Sequence, residues 1–330
     1  MSGREENQQL PGTGLIAILG AGSLGRLWAG YLSAGKVAFV PRHGSADVSG
    51  ADSLSYRLQR FDGSAASVSI PWLTSSSEQP SVLLVTTKAG DTLGALESRL
   101  PELPCDTPIV LFQNGMGSQQ AVAERWPRRP ILAASTTEGA NRPQQGQTVH
   151  AGRGETRVGA LTDRARPFVK PVVQALAASG LKVHAEPDIR QRLWDKLIVN
   201  AGINAFTAIL NCRNGDILNS RFYLERIDDL CAEIAAVLEA EGGRPLTPAM
   251  IRERIETVAQ STANNTSSML SDRQKGRTTE IDFINGYVAR RGQAHGIEVP
   301  VNQMLTERVQ QLSADPEAGR PGNQNKPGAS

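Results

Sequence analysis

The feature that most restricts how this chain can fold is the run Gly20-Ala21-Gly22-Ser23-Leu24-Gly25. An apolar, β-branched stretch, LIAIL at 15–19, ends on it, and a helical stretch near 23–34 begins in it. In a chain with 32 glycines such spacing means little alone. Its place between a strand and a helix gives it meaning. Gly20 permits a tight turn, Gly22 lets the backbone come close to a pyrophosphate, and Gly25 lets helix and strand pack. The free N–H groups at the helix start, through Ser23 and Leu24, then face the phosphates.

The surrounding pattern predicts the rest of that domain. KVAFV (36–40), VLLVTT (82–87) and PIVLF (108–112) are apolar on both faces, as in strands of a covered parallel sheet. Helical stretches near 91–99 and 118–125 lie between them, and alternation of this kind indicates an α/β sheet. From about 147 to 184 come shorter strands, TVHAG and TRVGA, with one helix near 164–179. After Pro187 strand signals become scarce, and helical patterns cover 188–211, 219–241, 247–260, 280–295 and 302–313. The expected organisation is an N-terminal arm (1–13), a Rossmann-type α/β domain (14–186), a mostly helical domain (187–313) and a polar Gly/Pro-rich tail (314–330).

Polar residues mark one edge of the sheet. An enzyme using NAD usually ends its second strand with an acid, about 20 residues on, that holds the ribose hydroxyls. Here KVAFV runs into Pro41-Arg42-His43, and Arg42 can instead grip a 2′-phosphate in a bidentate way, which favours NADP. Lys88 follows VLLVTT, and Asn114 follows PIVLFQ within QNGMG. Under a parallel-sheet arrangement all of these lie outside the carboxyl ends of strands, where ligands of open α/β sheets bind.

Composition excludes several classes. Lys and Arg number 35 against 33 Asp and Glu, with no long basic run, so nucleic acid is not the expected partner. The opening residues lack the charged-then-apolar pattern of an export signal, and the first apolar stretch is broken by glycines and Arg26. No membrane association and a cytoplasmic location are therefore expected. Cys105, Cys212 and Cys231 are never spaced as a metal clip and read as reduced thiols; no metal site is expected.

In WDKLIVNAGINAFTAIL, Lys196, Asn200 and Asn204 follow i, i+4, i+8 and fall within about 80° of one another on a helix. Apolar Leu197, Ile198, Ile203 and Phe206 surround them. The pattern fits either a solvated stripe or a lysine and two amides that need buried partners. Glu280 lies beside Ile281, Phe283 and Ile284, and spacing does not choose between it and Asp282. His150 and His184 sit in strand contexts without evident partners and read as structural.

These residues carry a resemblance to the ketopantoate reductase (2-dehydropantoate 2-reductase) family. The matching segments are LGAGSLG, VTTKAGDT, FQNGMG, TTEGA, LWDKLIVNAGINAFTAILNCRNGDIL, SSML and TEIDFINGYVARRGQAHGIEVPVN, in order from about residue 15 to 303. The lysine–asparagine helix and the TEID segment are specific to this family, whereas the glycine turn is shared by many oxidoreductases. The resemblance implies NADPH-dependent reduction of 2-dehydropantoate to pantoate, for pantothenate and coenzyme A synthesis. By matching position, Lys196 would be the general acid and Glu280 would hold it and bind substrate. Asn200 and Asn204 would hydrogen-bond the substrate, and Ser268 would receive its carboxylate. Asn114 would lie where nicotinamide meets substrate, and Arg42 and Lys88 would hold the adenosine phosphate, beside the turn Gly20–Gly25.

Glu138 in TTEGA and Arg153 in HAGRGE depart from the small or neutral residues expected there and would alter the pocket's edge. Two other functions compete: reduction of another branched 2-oxo acid by the same residues, and NADPH binding without turnover, as in a sensor. Apolar helices in the second domain could pack within one chain or against a second copy, which leaves a homodimer open.

Overall fold

The computed structural model describes residues 9–41, 52–73 and 78–314. The chain divides into two compact units, Met1–Leu193 and Trp194–Ser330. The division falls inside a long helix, Ile189–Leu210, whose regular pattern runs past the change of character after Pro187.

The first unit begins with β1 (Ile16–Leu19), α1 (Ser23–Leu32), β2 (Val37–Val40), β3 (Ser53–Gln59) and β4 (Ala65–Pro71). It continues with β5 (Val82–Val85), α2 (Ala89–Glu97), β6 (Ile109–Leu111), α3 (Ser118–Arg125) and β7 (Ile131–Thr136). The last elements are β8 (Gly139–Asn141), β9 (Gln147–Gly152), β10 (Thr156–Ala160), α4 (Val169–Ala177) and β11 (Val183–Ala185). Seven strands form one sheet in the order β11-β10-β7-β6-β5-β1-β2. β1 pairs in parallel with both β2 and β5, and β5, β6 and β7 continue in parallel. β10 runs antiparallel to β7 and carries β11 parallel to itself.

Side chains alternate across each strand, so the sheet sorts them to two cores. Ile16 and Ile18 join Leu27 and Trp28 of α1 and Val172 and Leu176 of α4 on one face. Ala17 and Leu19 join Leu96 of α2 and Val122 of α3 on the other. Helices on both faces explain why these strands read as unbroken apolar runs.

A second sheet, in the order β4-β3-β9-β8, was not anticipated from the sequence. It is built from two separate excursions: the hairpin β3–β4 between β2 and β5, and β8–β9 between β7 and β10. Parallel pairing of β3 with β9 joins them. Tyr56, Leu58, Val68 and Ile70 pack from this sheet into the core that holds Leu27 and Trp28. Gly30 on α1 makes room, since a Cβ there would come within 2.6 Å of Leu58.

In the second unit α5 (Ile189–Leu210) is followed by α6 (Arg221–Leu224), α7 (Ile227–Ala240), α8 (Pro248–Ser261), α9 (Ser268–Gln274), α10 (Asn285–Ala294) and α11 (Pro300–Ala314). α5 stops at Asn211, whose φ of 51° is the left-handed conformation that ends helices. The single helical pattern expected over 219–241 is two helices, because Glu225 and Arg226 break it. The stretch expected to be helical from 280 begins instead as a short 3-10 turn, Ile281–Phe283, before α10. Ala201, Ala205, Phe206, Tyr223, Ile234, Ile255 and Leu305 are fully buried in this unit. No helix among the described residues is long and apolar enough to cross a membrane.

Candidate active site

In the first unit, Gly20, Lys88 and Asn114 follow β1, β5 and β6, which are adjacent and parallel, so all three lie beyond the same sheet edge. From β1 the chain moves to β2 on one side and returns as β5 on the other. A crevice opens at such a reversal, and the glycine turn sits in it. Gly20 has φ +113°, and a Cβ there would meet the backbone N of Thr87 at 2.8 Å. A Cβ on Gly25 would meet the Gly20 carbonyl at 2.0 Å, so the turn and α1 are in contact. The Thr86 hydroxyl donates to that same carbonyl at 2.7 Å. Around Gly22, by contrast, a Cβ would meet no atom within 4 Å. Gly22 precedes α1 without any side-chain cap, and the first turn holds no acid. The backbone at Ala21–Leu24 is thus open to an anionic group, and the cradle fits the diphosphate of a dinucleotide.

Two glutamines not singled out in the sequence fix the neighbouring loops. Gln113 is buried, and its Nε2 donates to the carbonyls of Val85 (2.9 Å) and Thr87 (3.2 Å). Gln119 Nε2 donates to the carbonyls of Gln113 and Gly115, both at 3.1 Å. Positive φ at Gly115 (75°) and Gly117 (105°) completes the loop that holds half-buried Asn114. Lys88 is half-buried at the start of α2, where its carbonyl accepts from Asp91 N and Thr92 Oγ1. Arg42 lies outside the described residues.

In the second unit, Lys196, Asn200 and Asn204 stand along α5. Asn204 is 6% exposed, and Lys196 and Asn200 are half-buried, so this face is not a solvated stripe. Neighbouring elements hold the helix at several points. A Cβ on Gly202 would come within 2.5 Å of Ile255 of α8. Arg254 of α8 pairs with Asp195 at 2.6 Å. The Thr207 hydroxyl lies 2.7 Å from the Ser267 hydroxyl, and Arg273 Nη1 donates to the Ala208 carbonyl at 2.6 Å, which ties α9 to α5.

Ser267 caps α9 by accepting from Leu270 N, and Ser268 beside it is exposed. Glu280 precedes the 3-10 turn and is half-buried. Asp282 accepts from Gln310 Nε2 at 2.6 Å through Oδ1 and from Arg290 through its carbonyl.

A buried polar chain supports α5 from behind. Glu233 of α7 accepts from Val301 N (2.7 Å), Asn302 N (2.9 Å) and Asn302 Nδ2 (2.7 Å). Asn285 Nδ2 donates to Asn302 Oδ1 at 3.1 Å and to the Ala201 carbonyl of α5 at 3.2 Å. Burial pushes the Glu233 carboxyl up from its ordinary range, against the pull of these donors.

His150 is structural but has partners, contrary to the expectation. Its Nε2 lies 2.7 Å from Glu138 Oε2, and its Nδ1 lies 2.8 Å from the Tyr31 hydroxyl of α1. Gly154 N also donates to Glu138. The Glu138 side chain is buried, at 1% exposure, and joins β8 and β9 to α1 rather than facing solvent. His184 is half exposed, 3.9 Å from Glu155. Arg153 is exposed and lines a shallow hollow with Thr137, Glu155 and Lys182.

A doubly wound sheet with a glycine turn at its reversal, followed by an all-helical unit, defines a two-part oxidoreductase of the Rossmann type. The chain belongs to the ketopantoate reductase family. The family model described as ketopantoate reductase PanE/ApbA matches residues 16–163, and its C-terminal counterpart matches 188–313. The chain is 37% identical over 306 residues to the 2-dehydropantoate 2-reductase of Vibrio cholerae serotype O1, covering 90% of this chain and 97% of that one. It is 35% identical over 312 residues to the Shigella flexneri enzyme of that name, covering 91% and 95%. A PanE/ApbA family ketopantoate reductase from Ralstonia eutropha JMP134 superposes with a TM-score of 0.79 at 27% identity, covering 92% and 99%.

Proposed function

We propose that this chain reduces 2-dehydropantoate (ketopantoate) to (R)-pantoate with hydride from NADPH. The observation that carries the reading is the partly buried Lys196–Asn200–Asn204 face of α5 in a chain of this family. NADPH, when bound, supplies the hydride that adds to the C2 ketone. That addition develops negative charge on the ketone oxygen. Lys196 stabilises this charge and, as general acid, donates the proton that completes the alcohol. Glu280 orients Lys196 and contacts substrate. Asn200 and Asn204 hydrogen-bond the substrate, and Ser268 takes its carboxylate. Asn114 orders the end of the site where nicotinamide meets substrate.

The cofactor side rests on the open turn from Gly20 to Gly25. Lys88 and Arg42 hold the adenosine 2′-phosphate, so Arg42→Ala raises KM for NADPH far more than for NADH. The test of the whole reading is NADPH oxidation, followed by absorbance, with 2-dehydropantoate and with NADH in parallel. Fast turnover with NADPH and little with NADH is expected. Binding of NADPH without oxidation by this substrate would redirect the search to other 2-oxo acids.

A further inference from the structure

Two arginines outside the glycine pattern converge on it. Arg26, directly after Gly25 on α1, folds back so that its Nε donates to the Ala21 carbonyl at 2.9 Å. Arg142, just beyond β8, reaches the same oxygen through Nη1 at 3.5 Å. The Arg26 guanidinium lies 5.5 Å from the ring centre of Tyr56, whose hydroxyl donates to the Arg26 carbonyl at 2.5 Å. Among the described residues no carboxylate pairs with Arg26. One carbonyl oxygen therefore gathers two like charges beside the start of α1, which has neither an acid nor a side-chain cap. Burial, and then the charge of Arg142, both work against the charged form of Arg26. A phosphate group beside the turn would pair with the Arg26 guanidinium.

From this geometry we infer that Arg26 and Arg142 bind the diphosphate of the cofactor, as a two-guanidinium clamp on the open side of the turn. The inference rests on the reading of the first unit as an NADPH site. It places the contact at the diphosphate rather than the 2′-phosphate because both side chains are anchored to Ala21, inside the turn. Residues after β2, where the ribose phosphate is read, are a separate position. A diphosphate is common to NADPH and NADH, so the clamp raises affinity for both and does not choose between them. Arg142 follows β8, so the second sheet delivers one arm of the clamp. Tyr56, on β3 of the same sheet, steadies the other.

The experiment is titration calorimetry of the full chain with NADPH and with NADH, at low and high ionic strength, for wild type, Arg26→Gln, Arg142→Gln and Arg26→Lys. Loss of one charge-assisted hydrogen bond predicts weakening by about tenfold or more in each glutamine variant. The factor is equal for the two cofactors, and the salt dependence of Kd becomes shallower, because fewer charges are neutralised. Arg26→Lys keeps the charge and retains most of the salt dependence. A turn that was merely loosened would weaken binding without changing that dependence, and this outcome overturns the clamp. Weakening confined to NADPH moves the arginines to the 2′-phosphate and also overturns it. Unchanged affinity in both glutamine variants does the same. Failure of wild type to bind either dinucleotide would instead remove the cofactor reading beneath it.

Discussion

Replacing Glu233 by alanine tests whether the buried chain behind α5 holds the second unit together. The carboxylate is 7% exposed and accepts three hydrogen bonds, two of them from the first turn of α11. Its removal leaves three donors at a place where Asn302 is fully buried. Each donor left unpaired costs about 1–3 kcal/mol. The wild-type carboxylate already bears a desolvation penalty, which its raised pKa reports, so the sum is reduced. A net loss of about 3–5 kcal/mol results. At roughly 2–4 °C per kcal/mol, the melting temperature falls by about 6–20 °C. Differential scanning calorimetry of the full chain reads this directly. A shift under about 2 °C would refute the argument that these donors have no other acceptor. The same group sets a pH dependence. A carboxyl whose pKa is raised on folding contributes most below its unfolded value and loses that contribution as pH rises through the folded value. The gap in melting temperature between wild type and Glu233→Gln therefore narrows as pH rises above the ordinary carboxyl range and through the raised folded value.

Gly25→Ala drives a Cβ into the Gly20 carbonyl and lowers the melting temperature, with a cost of about 1–3 kcal/mol or more. Gly22→Ala meets no atom, so it melts like wild type yet binds NADPH more weakly; equal loss of stability in both variants would contradict the turn geometry. Lys196→Ala lowers turnover at least about 100-fold, and near-normal turnover would remove it from the mechanism. Burial pushes the Cys231 thiol up to about 12, whereas Cys105 is exposed. A thiol reagent at pH 8 should label Cys105 first in the native protein, and equal rates would count against this burial.

The legible parts of the fold were those whose signal is local. β1, β5 and β6 are buried on both faces and read as apolar runs, and the glycine turn fixed where α1 begins. Of the second sheet only β9, the TVHAG run, gave a strand signal. β3 is SLSYRLQ, with Tyr56 and Leu58 inward and polar Ser55, Arg57 and Gln59 alternating with them, and β8 is three residues, GAN, made a strand only by its partner. In the site, the i, i+4, i+8 spacing on α5 was visible, but the packing of α8 and α9 on that helix was not. Glu233, Asn285 and Asn302 are distant in sequence, and each alone looks like a surface residue. His150 lacked a visible partner because Glu138 reaches it across the β8–β9 excursion, and Tyr31 only once that excursion folds over α1.

The split origin of the second sheet also orders events during synthesis. Pairing of β3 with β9 must wait until the ribosome has delivered β5, β6 and β7. Until then the hairpin β3–β4 presents an unpaired edge, and the outer apolar side of α1 has only part of its cover. Closing so long a loop for one parallel pairing is slow. A nascent chain that stalls before Gly152 would carry a finished glycine turn with an unfinished roof above it, open to association with other chains.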